Sequence, residues 1–238
     1  MKVNEFKIIS AMIYFSISMS IVFILLDYSL LESLVKAFIF PIYLYVYLKS
    51  GDEKNNYFIC FLLGFSLTGI HAVINELDSG NYSCVGSIPI ALAYLCLLFF
   101  FFEKLRFRHL MRHFGVYLVV LFIFNVYSIY ALNQMMMVDE LLKESFWEFL
   151  FECGYNVFMV LALSLSLLNY LYNDTRQNLL LFLAIACIVF SEMVQVVYIF
   201  SNVEVLKAPY LLLLNIGIYF IYQYILSKAN HNDVTLRS

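Results

Sequence analysis

Residues 178–200 read NLLLFLAIACIVFSEMVQVVYIF. The run is continuous rather than alternating, and it is long enough to cross the hydrocarbon core, which takes about 20 apolar residues. Near its middle stands Glu192. A charge at the centre of a span costs roughly 2.5–3.5 kcal/mol on insertion scales. The Leu, Ile, Val and Phe side chains around it each return about 0.3–0.6 kcal/mol, so the segment still inserts. Insertion therefore tolerates Glu192 without explaining it.

The rest of the chain repeats the pattern. Of 238 residues, 63% are hydrophobic and only 13% are charged, and the mean hydropathy is +0.86. A chain with so little polar surface to offer water belongs in a bilayer. Eight runs are long enough to span: 8–26, 31–49, 57–77, 85–102, 114–132, 145–171, 178–200 and 206–226. Strands are excluded because the runs do not alternate, and in lipid each segment must satisfy its own backbone. The expected fold is all-α: a polytopic membrane protein of one domain, a bundle of eight transmembrane helices joined by short loops. The first run follows MKVNEFK. It is too long for the apolar core of a signal peptide and no small-residue cleavage site follows it, so it reads as a retained span.

Lys and Arg orient the bundle. With the N-terminus inside, eleven of the fourteen fall on the inner side, two (Lys143 and Lys207) on the outer side, and Lys36 lies within the second span. Both termini are expected in the cytoplasm, with the chain in the cell's inner membrane. The basic 104–112 stretch reads as the positive-inside anchor. The net charge of −3 and the absence of an aromatic-basic stripe argue against nucleic acid as a partner. The cysteines at 60, 84, 96, 153 and 187 have no zinc or redox spacing.

Depth sorts the polar residues. At 1.5 Å per residue, Glu32 and Lys36 fall near the outer end of span two, spaced i, i+4 as a pair would be. His71, Asn75 and Glu76 fall in the outer third of span three. Glu148, Glu152 and Asn156 form a stripe in the outer half of span six. Glu192 and Gln195 lie somewhat outside the midplane of span seven. Asn215 is near the middle of span eight, with Tyr219 and Gln223 continuing its face inward. Most of these groups share the outer half, which implies a polar groove open to that side. Those near span ends also reach water by snorkelling, and His71 and Asn75 also suit helix–helix hydrogen bonds. Glu192 is the exception to such explanations. A carboxyl withdrawn from water favours its protonated, proton-donating form, the profile of a general acid or a polar ligand contact.

Short motifs add a resemblance that covers nearly the whole chain. CIVFSEMVQ resembles the F-x-x-S-D pattern of the YhhN-like family, which includes the lysoplasmalogenases, with Ser191 on the serine and Glu192 on the aspartate. IYFIYQYIL resembles its Y-Y-x-x-Q, with Tyr219 and Gln223 matching and Phe220 on the second tyrosine. GFSLTGIHAVI resembles F-S-x-x-G-D, with Ser66 and Gly69 matching and Ile70 in place of the aspartate. Lys36 resembles the lysine of a K-P motif, followed here by Ala37. Ala93, Tyr94 and Leu97 stand where the family has A-H-x-x-Y, with Tyr94 on the histidine.

The resemblance implies an eight-span fold, a membrane lipid as partner, and hydrolysis of the vinyl ether of lysoplasmalogens or a related lysolipid. It implies general acid/base chemistry without a cofactor or metal. On this reading Glu192 is the acid, with Glu152 or His71 as helper. Lys36, Ser66, Asn156, Ser191, Gln195, Asn215, Tyr219 and Gln223 would contact the lipid. No serine-hydrolase, zinc-protease or P-loop motif competes, and three of the four histidines (109, 113, 231) fall in inner segments. A non-catalytic lipid-binding or accessory protein of the same fold is the competing reading. A small transporter is a third, and it would need polar residues continuing through the inner half, where the sequence has few.

Overall fold

Continuous apolar runs become helices because only an internal i to i−4 ladder satisfies the backbone without water. The computed structural model describes scattered positions between 11 and 26, then residues 29–49, 54–77, 87–105, 114–136, 146–201 and 203–235. Seven long helices are described: α1 (Ser29–Lys49), α2 (Asn56–Leu77), α3 (Ser87–Lys104), α4 (Gly115–Met136), α5 (Phe146–Tyr172), α6 (Arg176–Ser201) and α7 (Lys207–Thr235). A 3₁₀ turn, Glu204–Leu206, leads into α7. No strand occurs among the described residues.

Among the described residues, six helices are long and apolar enough to cross a membrane, over Asn56–Ile74, Ser87–Lys104, Gly115–Met136, Phe149–Tyr172, Arg176–Tyr198 and Lys207–Ser227. The protein is thus an all-helical, multi-pass membrane protein by length and composition. The second expected run is the helix α1. The first lies largely outside the described residues, although positions 13–16 are helical.

Two compact units divide the chain, Met1–Ala93 with Ile225–Ser238, and Tyr94–Tyr224. The first is built on α1 and α2 and on an aromatic ladder between them. Phe40 meets Phe65 at 4.9 Å, and Tyr47 meets Phe58 at 4.9 Å. Asn55 caps α2: its side-chain oxygen accepts from the N–H of Tyr57 at 2.9 Å and of Phe58 at 3.3 Å, using donors the helix start leaves over. Its own N–H donates to the Tyr47 hydroxyl at 3.1 Å, which ties the cap back to α1.

Glycine sets two of the close approaches here. A methyl on Gly64 would stand 2.6 Å from both Ala93 Cβ and the Pro89 carbonyl oxygen of α3, and one on Gly69 would stand 2.9 Å from Ala37 Cα of α1. In hydrocarbon, where water does not drive helices together, such small-residue contacts are what lets backbones pack.

The second unit packs α4, α5 and α6 against one another. Thr175 caps α6, its hydroxyl accepting from the Asn178 N–H at 3.2 Å. Buried polar pairs staple the helices. Ser164 donates to the Asn125 side-chain oxygen at 2.6 Å, and Asn156 donates to the Asn133 side-chain oxygen and to the Met136 sulfur, each at 3.0 Å. Much of the rest of α4 is apolar and exposed, as in Val116, Phe122 and Tyr127. That is the surface a lipid-facing helix presents.

Candidate functional site

Glu192 lies on α6 inside the second unit, half-buried. Its Oε2 accepts a hydrogen bond from the Tyr155 hydroxyl of α5 at 2.6 Å. Tyr155 is 6% exposed and its ring meets that of Tyr94, on α3, at a centroid distance of 5.9 Å and a tilt of 55°. Tyr94 is 1% exposed. Both phenols lie within electrostatic reach of the Glu192 carboxyl, and Tyr155 also feels Glu152, one helical turn before it on α5. Three helices thus place two carboxyls and two phenols in one neighbourhood. Such a cluster can hold a proton, pass it to a bound molecule, or grip a polar head group.

Why the chain folds this way locally is plain in the spacing. Glu152 and Tyr155 are i, i+3 on α5 and share a face. Ser191, next to Glu192, donates to the Tyr210 main-chain carbonyl at 2.6 Å and so pins α6 to the start of α7. Below that contact Gly217 lets α7 approach α6: a methyl on it would stand 2.7 Å from Ile188 Cγ1 and 3.1 Å from the Ala184 carbonyl oxygen. Both contacts hold α6 against α7 beside the position of Glu192.

The chain matches no protein-family model, no curated protein and no solved structure.

The other expected residues divide between the units. Ser191, Glu192, Gln195, Glu152, Asn156, Asn215, Tyr219 and Gln223 belong to the second, and Lys36, Ser66 and His71 to the first. Several make bonds within the helices. Ser66 donates to the Leu62 carbonyl at 2.7 Å, and the Asn215 amide donates to the Leu211 carbonyl at 2.9 Å. Asn156 is committed to α4 as described. Gln195, His71 and Gln223 are half-buried, whereas Tyr219 is 36% exposed, its ring tilted 56° to that of Phe220 at a centroid distance of 5.8 Å. Lys36 is part of α1, but its side chain lies outside the described residues, as do those of Glu32, Asn75, Glu76 and Glu148. Ile70, where the resemblance would place an aspartate, is 47% exposed. Among the described residues no three His, Cys, Asp or Glu side chains converge as metal ligands.

Tyr155 is the residue that sequence reasoning passed over; Tyr94 entered it only as the residue standing where the resemblance would place a histidine. A signal for Tyr155 existed. Interfacial tyrosines sit at helix ends, and Tyr155 is about 14 Å along α5 from Phe146. A tyrosine that deep has no interface to reach, so its hydroxyl needs an internal partner.

Proposed function

We propose that the protein is a diverged YhhN-like enzyme of the inner membrane, with eight spans and both termini cytoplasmic, that hydrolyses the vinyl ether of lysoplasmalogens or a related lysolipid. The observation that carries the reading is the Glu192 carboxyl, held at 2.6 Å by Tyr155 inside the second unit. Glu192 gives its proton to the alkene carbon remote from the ether oxygen and keeps the O–H electron pair as carboxylate. Water adds to the cationic carbon next to the ether oxygen and loses a proton to a helper, Glu152. The hemiacetal then collapses to a fatty aldehyde and a glycerophospho-alcohol. General acid catalysis of this kind contributes typically 10²–10⁴-fold. Further support is the place of Tyr94, which stands on the family's histidine position and packs against the ring that holds Glu192.

The test is direct. Purified protein given lysoplasmalogen releases free aldehyde, and Glu192→Gln abolishes the release. Full turnover by Glu192→Gln would exclude the mechanism.

One observation favours a second reading, a lipid-binding or accessory protein without turnover. Ile70 leaves the family's second carboxyl position apolar and exposed. Lipid that co-purifies with the protein, with no aldehyde from any ether lysolipid, would decide for that reading.

A further inference from the structure

A glutamate has three side-chain torsions, and an acid that must reach one carbon cannot wander among them. Something has to fix its carboxyl. Tyr155 is placed to do so. Its ring is buried and wedged against the buried ring of Tyr94, so its hydroxyl oxygen is fixed and only the O–H direction rotates. That O–H is donated to Oε2 of Glu192.

We propose that Tyr155 is the positioning residue of the Glu192 carboxyl, with Tyr94 backing its ring. The inference rests on the reading of Glu192 as an acid, but the hydrogen bond itself is measurable without turnover. Tyr155 loses no proton in the reaction. Its O–H stays on Oε2 while Glu192 passes its own proton to the substrate carbon, and it then bonds the carboxylate left behind. A hydrogen bond to a charged group is stronger than one to a neutral group, so Tyr155 does more for the step that leaves the carboxylate than for substrate binding. Loss of the hydroxyl therefore lowers kcat and leaves KM nearly unchanged, a split that a merely structural role would not produce.

The experiment uses the full chain in lipid nanodiscs. Infrared difference spectra against Glu192→Gln identify the Glu192 carboxyl or carboxylate band. Tyr155→Phe, which keeps the ring and its packing on Tyr94, is expected to shift that band. It should also lower kcat for lysoplasmalogen roughly tenfold or more, the worth of one hydrogen bond to a charged group, and displace the pH–rate profile. Tyr170→Phe, on a ring that stacks with Phe182, is the control and leaves all three unchanged. Tyr94→Leu is the second variant, for use if Tyr155→Phe does not fold. It keeps the Tyr155 hydroxyl but frees the ring, and the Glu192 band should broaden. A folded Tyr155→Phe with an unmoved band overturns the proposal, and so does an unbroadened band in Tyr94→Leu where that variant is the one used. The two readings separate cleanly. A band that moves in a protein without turnover upholds the positioning and ends the hydrolase reading. Glu192-dependent turnover with an unmoved band does the reverse.

Discussion

Ser191 of α6 donates its hydroxyl to the main-chain carbonyl of Tyr210 in α7 at 2.6 Å, one position before the carboxyl that the second unit is arranged around. The bond fixes α6 against α7 at the depth where Glu192 turns toward α5. Interhelical hydrogen bonds of this kind contribute about 0.6 kcal/mol on average and up to about 1.7 kcal/mol. Ser191→Ala should lower stability by about 1 kcal/mol, read as an earlier midpoint in denaturing-detergent titration. An unchanged midpoint would show that the contact contributes nothing.

Glycine substitutions should change sign with position. Gly64 faces the backbone oxygen of Pro89, which cannot move aside as a flexible side chain would. Gly64→Ala is expected to cost about 1–3 kcal/mol through overpacking. Among the described residues nothing lies within 4 Å of a methyl added at Gly154, so Gly154→Ala gains the helix propensity of alanine, up to about 1 kcal/mol. The two unfolding curves, measured side by side, should move in opposite directions.

Asn169 is 1% exposed, and neither its side-chain oxygen nor its nitrogen has a hydrogen-bond partner among the described residues. An unsatisfied buried amide carries a desolvation penalty of about 1–3 kcal/mol. Asn169→Leu, similar in size and apolar, should therefore raise stability. A clear loss of stability in that variant would mean that the amide bonds to something within the membrane.

The Asn125–Ser164 pair joins α4 to α5 through a single bond at 2.6 Å. A double-mutant cycle of Asn125→Ala and Ser164→Ala should return a coupling of about 0.6–1.7 kcal/mol. Strict additivity of the two changes would refute the staple.

Topology has its own check. Reporter domains fused to each terminus should both be active on the cytoplasmic side, as the distribution of Lys and Arg requires. A C-terminal reporter exported to the far side would break the eight-span count.

Much of the helical frame was legible in the sequence because the bilayer imposes one length on every crossing. The expected run 145–171 is α5, Phe146–Tyr172, and 178–200 is α6, Arg176–Ser201. The last helix is the instructive case. The expected span 206–226 matches the apolar stretch Lys207–Ser227, while the helix α7 itself continues to Thr235. Hydropathy marks where lipid ends, and a helix is free to continue into water. The site was half legible. Glu192 stood out by its cost, and Glu152 by its stripe. The link between them is a tyrosine from a class of 19, most of them readable as belt residues, and the partner that singles it out is 37 positions away. Periodicity along one helix carries no information about which residue of another helix it will meet.

The first unit draws on both ends of the sequence, residues up to Ala93 and those from Ile225 onward. Ile225 is 1% exposed, so it belongs to the packed interior rather than to a trailing tail. During synthesis the ribosome must therefore translate and insert the whole intervening unit before the opening helices receive their last packing partner.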